Sequence, residues 1–206
     1  MRNANNLPTG QDVKRQPTLT TERLVLRPFE ESDIPEVAPL ADDEEISKNT
    51  LLIPHPYQEV HARRWIAVHG REYRSGKSVV FAVTLAATGA LVGAVGLTIA
   101  REHRHAGLGY WIGRQYWGGG LATEAARAVL AYAFGELDLV RIHAGHFADN
   151  PASGRVMQKI GMKEEGRLRR HIFRWGEYRD MVLFGIVKEE WHAGVEKQKG
   201  KTPRGL

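Results

Sequence analysis

The stretch Gln115-Tyr-Trp-Gly-Gly-Gly-Leu-Ala122 lies between an apolar run at 108–113, which reads as a strand, and a segment of helical periodicity. Ala122, Ala125, Ala126, Val129, Leu130, Ala133 and Phe134 fall on one face, which predicts a helix over residues 120–134. A strand, a glycine run and a helix in that order form an anion cradle. The glycines let a ligand approach the backbone, and the helix start offers unpaired N–H groups and a positive dipole end. A pyrophosphate is expected over residues 116–122. Neither of two common phosphate motifs fits. No Lys-Ser/Thr follows Gly118-Gly-Gly120, as a P-loop needs, and the glycine spacing is not the dinucleotide fingerprint.

Outward from the cradle, residues 24–28 read as a first strand and 32–41 as a short helix entered through Ser32 and Asp33. The prolines of 53–57 mark a loop, and 58–74 form a helix closed by Ser75-Gly76. Strands follow at 79–86 and 91–100, joined by the short connection 87–90. Beyond the cradle helix come a strand at 139–147, a helix at 151–160 and two strands around Trp175-Gly-Glu177. This order predicts a single α+β domain over 17–192, with a mixed sheet whose strand–helix–strand crossover surrounds the cradle.

Composition narrows the function. With no cysteine in 206 residues, disulfides, thiolate ligands and cysteine nucleophiles are excluded, which suits a cytoplasmic protein. No apolar run is long enough to span a bilayer, and the first residues lack a signal-peptide core, so no membrane is expected. The formal charge of +5 resides in the ends. Arg2, Lys14 and Arg15 against Asp12, with Lys197, Lys199, Lys201 and Arg204 against Glu196, account for all of it. Residues 1–16 and 193–206 therefore read as flexible basic tails around a balanced domain, and no specific nucleic-acid site is expected.

The wider motif set is more specific. Gln115-x-x-Gly118-x-Gly120 resembles the coenzyme A signature of the GNAT superfamily of N-acetyltransferases. Tyr110-Trp-Ile-Gly113, Tyr116-Trp-Gly-Gly-Gly-Leu-Ala-Thr-Glu-Ala125, Thr21-Glu-Arg-Leu-Val-Leu-Arg-Pro28, Asn150-Pro-Ala-Ser153 and Lys159-Ile-Gly-Met162 resemble its branch that acetylates ribosomal-protein N-termini. The resemblance implies helices on both faces of a twisted sheet and a splayed strand pair, 108–113 and 139–147, that admits the pantetheine arm. It also implies acetyl-CoA as donor and no metal. Backbone groups of Tyr110, Trp111 and Ile112 would meet pantetheine, and Gln115, Tyr116, Trp117, Gly118, Gly119, Gly120, Leu121, Ala122 and Thr123 the pyrophosphate. Asn150 reads as a helix cap that also touches coenzyme or substrate. Ser153 is either a proton donor to the leaving thiolate or an ordinary first-turn serine.

The sequence departs from that branch at the general base. Relatives usually carry a glutamate where Ala106-Gly107-Leu108-Gly109-Tyr110 has Gly107, and another relative's glutamate falls on Ile172. His105 is the first replacement candidate; His143, Asp149 and His171 are others. The need for a base depends on the acceptor. An α-amine with a pKa of about 8 is about one-tenth neutral at pH 7, a cost of about 1.4 kcal/mol, against about 4.6 kcal/mol for a lysine. The resemblance implies a protein or peptide α-amino group as acceptor, which the missing base favours slightly. The run Asp42-Asp-Glu-Glu45, if it lined the acceptor pocket, would point to an aminoglycoside, a polyamine or an amino-acid derivative instead. A non-catalytic acyl-CoA-binding or ribosome-docking module is the rival outside enzymes. Monomer and homodimer are equally compatible with the sequence.

Overall fold

The computed structural model describes residues 15–199; those parts of the expected tails at 1–14 and 200–206 lie outside the described residues. The chain opens with β1 (Leu19–Thr20) and β2 (Leu24–Pro28), followed by α1 (Ile34–Ala41), α2 (Glu44–Lys48) and α3 (Glu59–Ser75). Next come β3 (Ser78–Leu85), β4 (Leu91–Ala100), β5 (His105–Ile112), α4 (Leu121–Gly135) and β6 (Arg141–Phe147). The chain continues through α5 (Pro151–Lys159), β7 (Lys163–Arg174), β8 (Glu177–Val187) and α6 (Lys188–Lys199).

The eight strands form one sheet in the order β1-β2-β3-β4-β5-β6-β8-β7. Each neighbouring pair is antiparallel except β5–β6, which the α4 crossover makes parallel. That parallel ladder is short. His105, Ala106 and Gly107 pair with Arg141, Ile142 and His143, and beyond them the strands part, as the family resemblance implies.

Strand alternation distributes the core to both faces. In β3, Phe81 points to the face covered by Ala125, Ala126, Val129, Leu130 and Ala133 of α4. Its neighbour Ala82 points to the opposite face, packed with Val37 and Ala41 of α1 and Ala62 and Ile66 of α3. Helices therefore cover both sides of the sheet, and the loops around its parted centre are left to bind.

Three local expectations change. The acidic run at 42–45 does not line an acceptor pocket: Asp43 caps α2 by accepting from the Glu45 N–H at 2.8 Å. Asp42 is likewise committed, accepting from the Tyr57 N–H at 2.6 Å. At the C-terminal end, α6 runs on to Lys199, through residues 193–199 that were read as tail. Glu189 and Glu190 in its first turn favour the helix dipole, and Trp191 packs on Phe134 with ring centroids 6.0 Å apart. Near the other end, Gln16 donates to the Val80 carbonyl at 2.7 Å and so belongs to the folded domain.

Candidate active site

The cradle starts where β5 ends. A short turn over Arg114–Tyr116 leads to Gly118 at φ 80° and Gly120 at φ 79°, left-handed conformations that favour glycine. A Cβ on Gly118 would meet nothing within 4 Å, so its space opens to the ligand side. The first N–H of α4 to reach a carbonyl is that of Glu124, on Gly120 O at 3.1 Å. The preceding N–H groups of the first turn thus point out of the helix start, as an anion site needs.

The N-terminal motif holds this turn in place. Arg23 Nη1 donates to the Gly119 carbonyl at 2.9 Å and its Nε to Glu124 at 2.7 Å, while the Thr21 hydroxyl donates to Glu124 at 2.6 Å. Burial alone would push the Glu124 carboxyl up, but the bonds from Thr21 and Arg23 outweigh it and hold the pKa below its ordinary value. Glu124 is therefore neutralised as a scaffold and does not repel an anion. Trp117 folds back, its Nε1 donating to the Ile112 carbonyl at 2.6 Å.

A groove of about 310 Å³ runs along this cradle. It brings together Tyr110, Trp111, Ile112, Tyr116, Trp117, Gly118, Gly120, Leu121, Ala122, Thr123, Asn150 and Ser153. Among the residues expected to bind coenzyme, Gln115 and Gly119 do not line it; Gly119 instead receives Arg23. Among the lining residues that the sequence reading did not place there are two cations, Arg155 and Lys159 of α5. Their i, i+4 spacing puts both cations on one helix face, which was the available signal. A glycine cradle, an open strand edge and two cations fit a long ligand carrying phosphates and amides.

Asn150 is the cap of α5, its Oδ1 accepting from the Ser153 N–H at 3.3 Å. One turn in, Ser153 Oγ lies 2.8 Å from the Tyr110 hydroxyl, which is also 3.1 Å from the Ser153 carbonyl. Burial pushes the Tyr110 phenol up to about 12, against the opposing bond to Ser153. The pair is protonated at neutral pH and can hand a proton to an anion formed beside it.

On the far side of the parted strands lies a chamber of about 930 Å³. It shares Tyr110, Trp111 and Ser153 with the groove, so the two spaces meet at the proposed proton donors. His61, Arg64 and Trp65 of α3, Gly107 and Gly109 of β5, and His143 of β6 contribute to its walls. Among the described residues no carboxylate lines it. The outer wall, the segment after α2, is pinned by the β7–β8 hairpin. Arg174 donates to the carbonyls of Ser47 at 2.9 Å and Ile53 at 2.7 Å, and also to that of Leu51. Arg174 thus holds a wall of the chamber.

The base candidates separate. His143 faces the chamber, whereas half-buried His105 stands beside it with ring centroids 5.3 Å apart and does not line the space. Asp149 is taken by Arg179 at 2.6 Å, and His171 is exposed on β7. His103 stacks on His105, and among the described residues no group of three or more His, Asp or Glu is placed to hold a metal ion. No helix among them is long and apolar enough to cross a membrane.

A sheet parted beside a helix-borne anion cradle, with a protonated hydroxyl pair at the junction, defines an acyltransferase. The chain belongs to the GNAT family of N-acetyltransferases: the family model described as Acetyltransferase (GNAT) domain matches residues 23–163. It is 31% identical over 173 residues to the uncharacterized N-acetyltransferase YoaA of Bacillus subtilis, covering 84% of this chain and 97% of the relative. The [Ribosomal protein uS5]-alanine N-acetyltransferase of Escherichia coli is 32% identical over 87 residues, 42% of this chain and 45% of that protein. Among solved structures, Mycobacterium smegmatis RimJ in complex with CoA-disulfide superposes with a TM-score of 0.75 at 25% identity, covering 88% of this chain and 93% of that one.

Proposed function

We propose that the protein transfers acetyl from acetyl-CoA to the α-amino group of a protein or peptide, as the ribosomal-protein enzymes do. The donor would lie in the groove, its pyrophosphate over the cradle and near Arg155 and Lys159, its pantetheine along the open edge of β5. The thioester would then reach the junction at Tyr110 and Ser153. There the amine lone pair attacks the carbonyl carbon, the C–S bond breaks, and the hydroxyl pair supplies the proton that the thiolate takes. Holding both reactants at one point supplies much of the acceleration. A cytoplasmic location is expected for such a reaction.

The observation that carries the choice of acceptor is the charge of the chamber. A polyamine or aminoglycoside carries several ammonium groups and requires carboxylates around them. The chamber offers Arg64, His61 and His143 instead, and none of the acidic run 42–45 lines it, Asp43 capping α2 and Asp42 accepting from the Tyr57 N–H. The name of the Escherichia coli relative supports a ribosomal protein as the natural acceptor. The test is thiol release from acetyl-CoA across a panel of peptides, polyamines and aminoglycosides. Turnover above background with free-N-terminal peptides supports the reading, and turnover confined to polyamines or aminoglycosides overturns it.

A further inference from the structure

Gly107 carries no side chain, and the space in front of it is taken from the neighbouring strand. A Cβ built there would come within 3.2 Å of His143 Cε1 and 3.6 Å of its Nε2. The imidazole stands in front of Gly107, and a side chain there would have to displace it. Gly107 and His143 are partners in the final rung of the β5–β6 ladder before the strands part. The ring therefore sits at the edge of the opening and faces the acceptor chamber. Behind it, His105 packs edge-on, its Nδ1 buried and without a hydrogen-bond partner among the described residues.

We infer that His143 is the general base of this enzyme, taking the acceptor amine's proton at the edge of the opening between the parted strands. The role expected first of His105 thus passes to the neighbouring strand. Burial, then the neighbouring His105 and Arg141, hold the His143 pKa below its ordinary value against the opposing pull of Glu165, which leaves the ring neutral and able to accept at pH 7. Glu165 is itself held by Arg141 at 2.7 Å, and from α3 the chamber receives His61 and Arg64. The bookkeeping closes. The nitrogen lone pair makes the C–N bond, its surplus proton goes to His143, the C–S bond breaks, and the thiolate is protonated from Tyr110 and Ser153. Solvent then resets both ends.

The inference rests on the acetyl-transfer reading and not on the choice of acceptor, so it is tested with whichever amine the enzyme turns over. The measurement is log kcat/KM against pH on an acceptor of known amine pKa. Below the amine pKa the wild type rises with a slope of about one, steepening to about two below the His143 pKa, because base and amine must then both lose a proton. His143→Gln should keep a slope of about one throughout, with kcat/KM lower by about 100-fold at pH 7 and coenzyme affinity within about twofold, the coenzyme groove being untouched. A slope of two surviving in His143→Gln, or a rate within about twofold of wild type, overturns the inference. A second variant guards against a folding defect. Gly107→Glu in a His143→Ala background has room for the carboxylate and should be about tenfold faster than His143→Ala alone, with its acid limb moved toward the carboxylate range. No gain over His143→Ala counts against the inference. Should the acceptor prove to be a polyamine, the peptide reading fails while these slopes still decide the role of His143.

Discussion

The Tyr110 hydroxyl lies 2.8 Å from Ser153 Oγ and 3.1 Å from the Ser153 carbonyl, tying β5 to the first turn of α5 where the parallel strands have already separated. The two hydroxyls form one proton source at the point where groove and chamber meet. Tyr110→Phe and Ser153→Ala should each lower kcat by about 10- to 100-fold while leaving coenzyme affinity within about twofold. The double variant should cost little more than the worse single one, since groups that act as a unit are not additive. Steady-state kinetics with calorimetric coenzyme titration check this. Full additivity would mean that the hydroxyls act separately.

The cradle makes a complementary prediction, loss of binding. Gly118 and Gly120 hold left-handed φ values that cost other residues about 1–2 kcal/mol each. A side chain at Gly118 would also project into open space on the ligand side. Gly118→Val should abolish coenzyme binding with a smaller loss of stability, read as a missing thermal shift on adding coenzyme A. Arg155→Ala should weaken binding by about tenfold, about 1.4 kcal/mol, and flatten its salt dependence.

How the site was assembled explains what the sequence made legible. The cradle, its helix and the capping Asn150 are encoded locally, by glycine position, periodicity and an Asn-Pro pair, and each lies within two residues of where those signals put it. The Thr21–Arg23 clamp on Glu124 was visible only as a motif, because its partners are about a hundred positions apart in sequence. The pairing of Gly107 with His143 was hidden for a related reason, since which histidine faces the chamber is fixed by the register of β6 on β5. Helix α2 was missed because an acidic run looks like solvated loop until Asp43 is seen to cap it.

His69 offers a test of packing through pH. It is buried against Phe29 and Trp65, and neither ring nitrogen has a hydrogen-bond partner among the described residues. Burial pushes its pKa down to about 4, with Glu72 opposing. The unfolded chain, with a histidine pKa of about 6.5, binds more protons between those values. Stability from this group is therefore undiminished above about pH 6.5 and falls by about 3 kcal/mol as pH drops to about 4. His69→Leu should remove that part of the acid loss. Urea melts at pH 7 and pH 4.5 decide; an unchanged difference between the two pH values would contradict the account.

The start of α1 depends on Asp33, buried and bonded to Arg27 at 2.7 and 2.8 Å and to the Glu30 N–H at 2.8 Å. Burial pushes the carboxyl up, but the bonds from Arg27 and Glu30 outweigh it, so its pKa is lowered. Asp33→Ala leaves the Arg27 charge partly buried and unpaired, and should cost about 3 kcal/mol by urea melting. Because the folded pKa is depressed, the wild-type contribution is present above the unfolded value of about 3.9 and lost as pH falls through the folded one. The penalty of the substitution should accordingly shrink in strong acid.

The central claim, acetyl transfer to an α-amino group from a chamber without carboxylates, is tested most directly by locating the acetyl group. Purified protein with labelled acetyl-CoA is offered a peptide carrying both a free N-terminus and an internal lysine, the same peptide with its N-terminus blocked, and spermidine. Fragment mass spectrometry then assigns the label. The account predicts label on the N-terminal nitrogen of the first peptide and none above background on the other two; label on the lysine or on spermidine, with the free N-terminus spared, would contradict it.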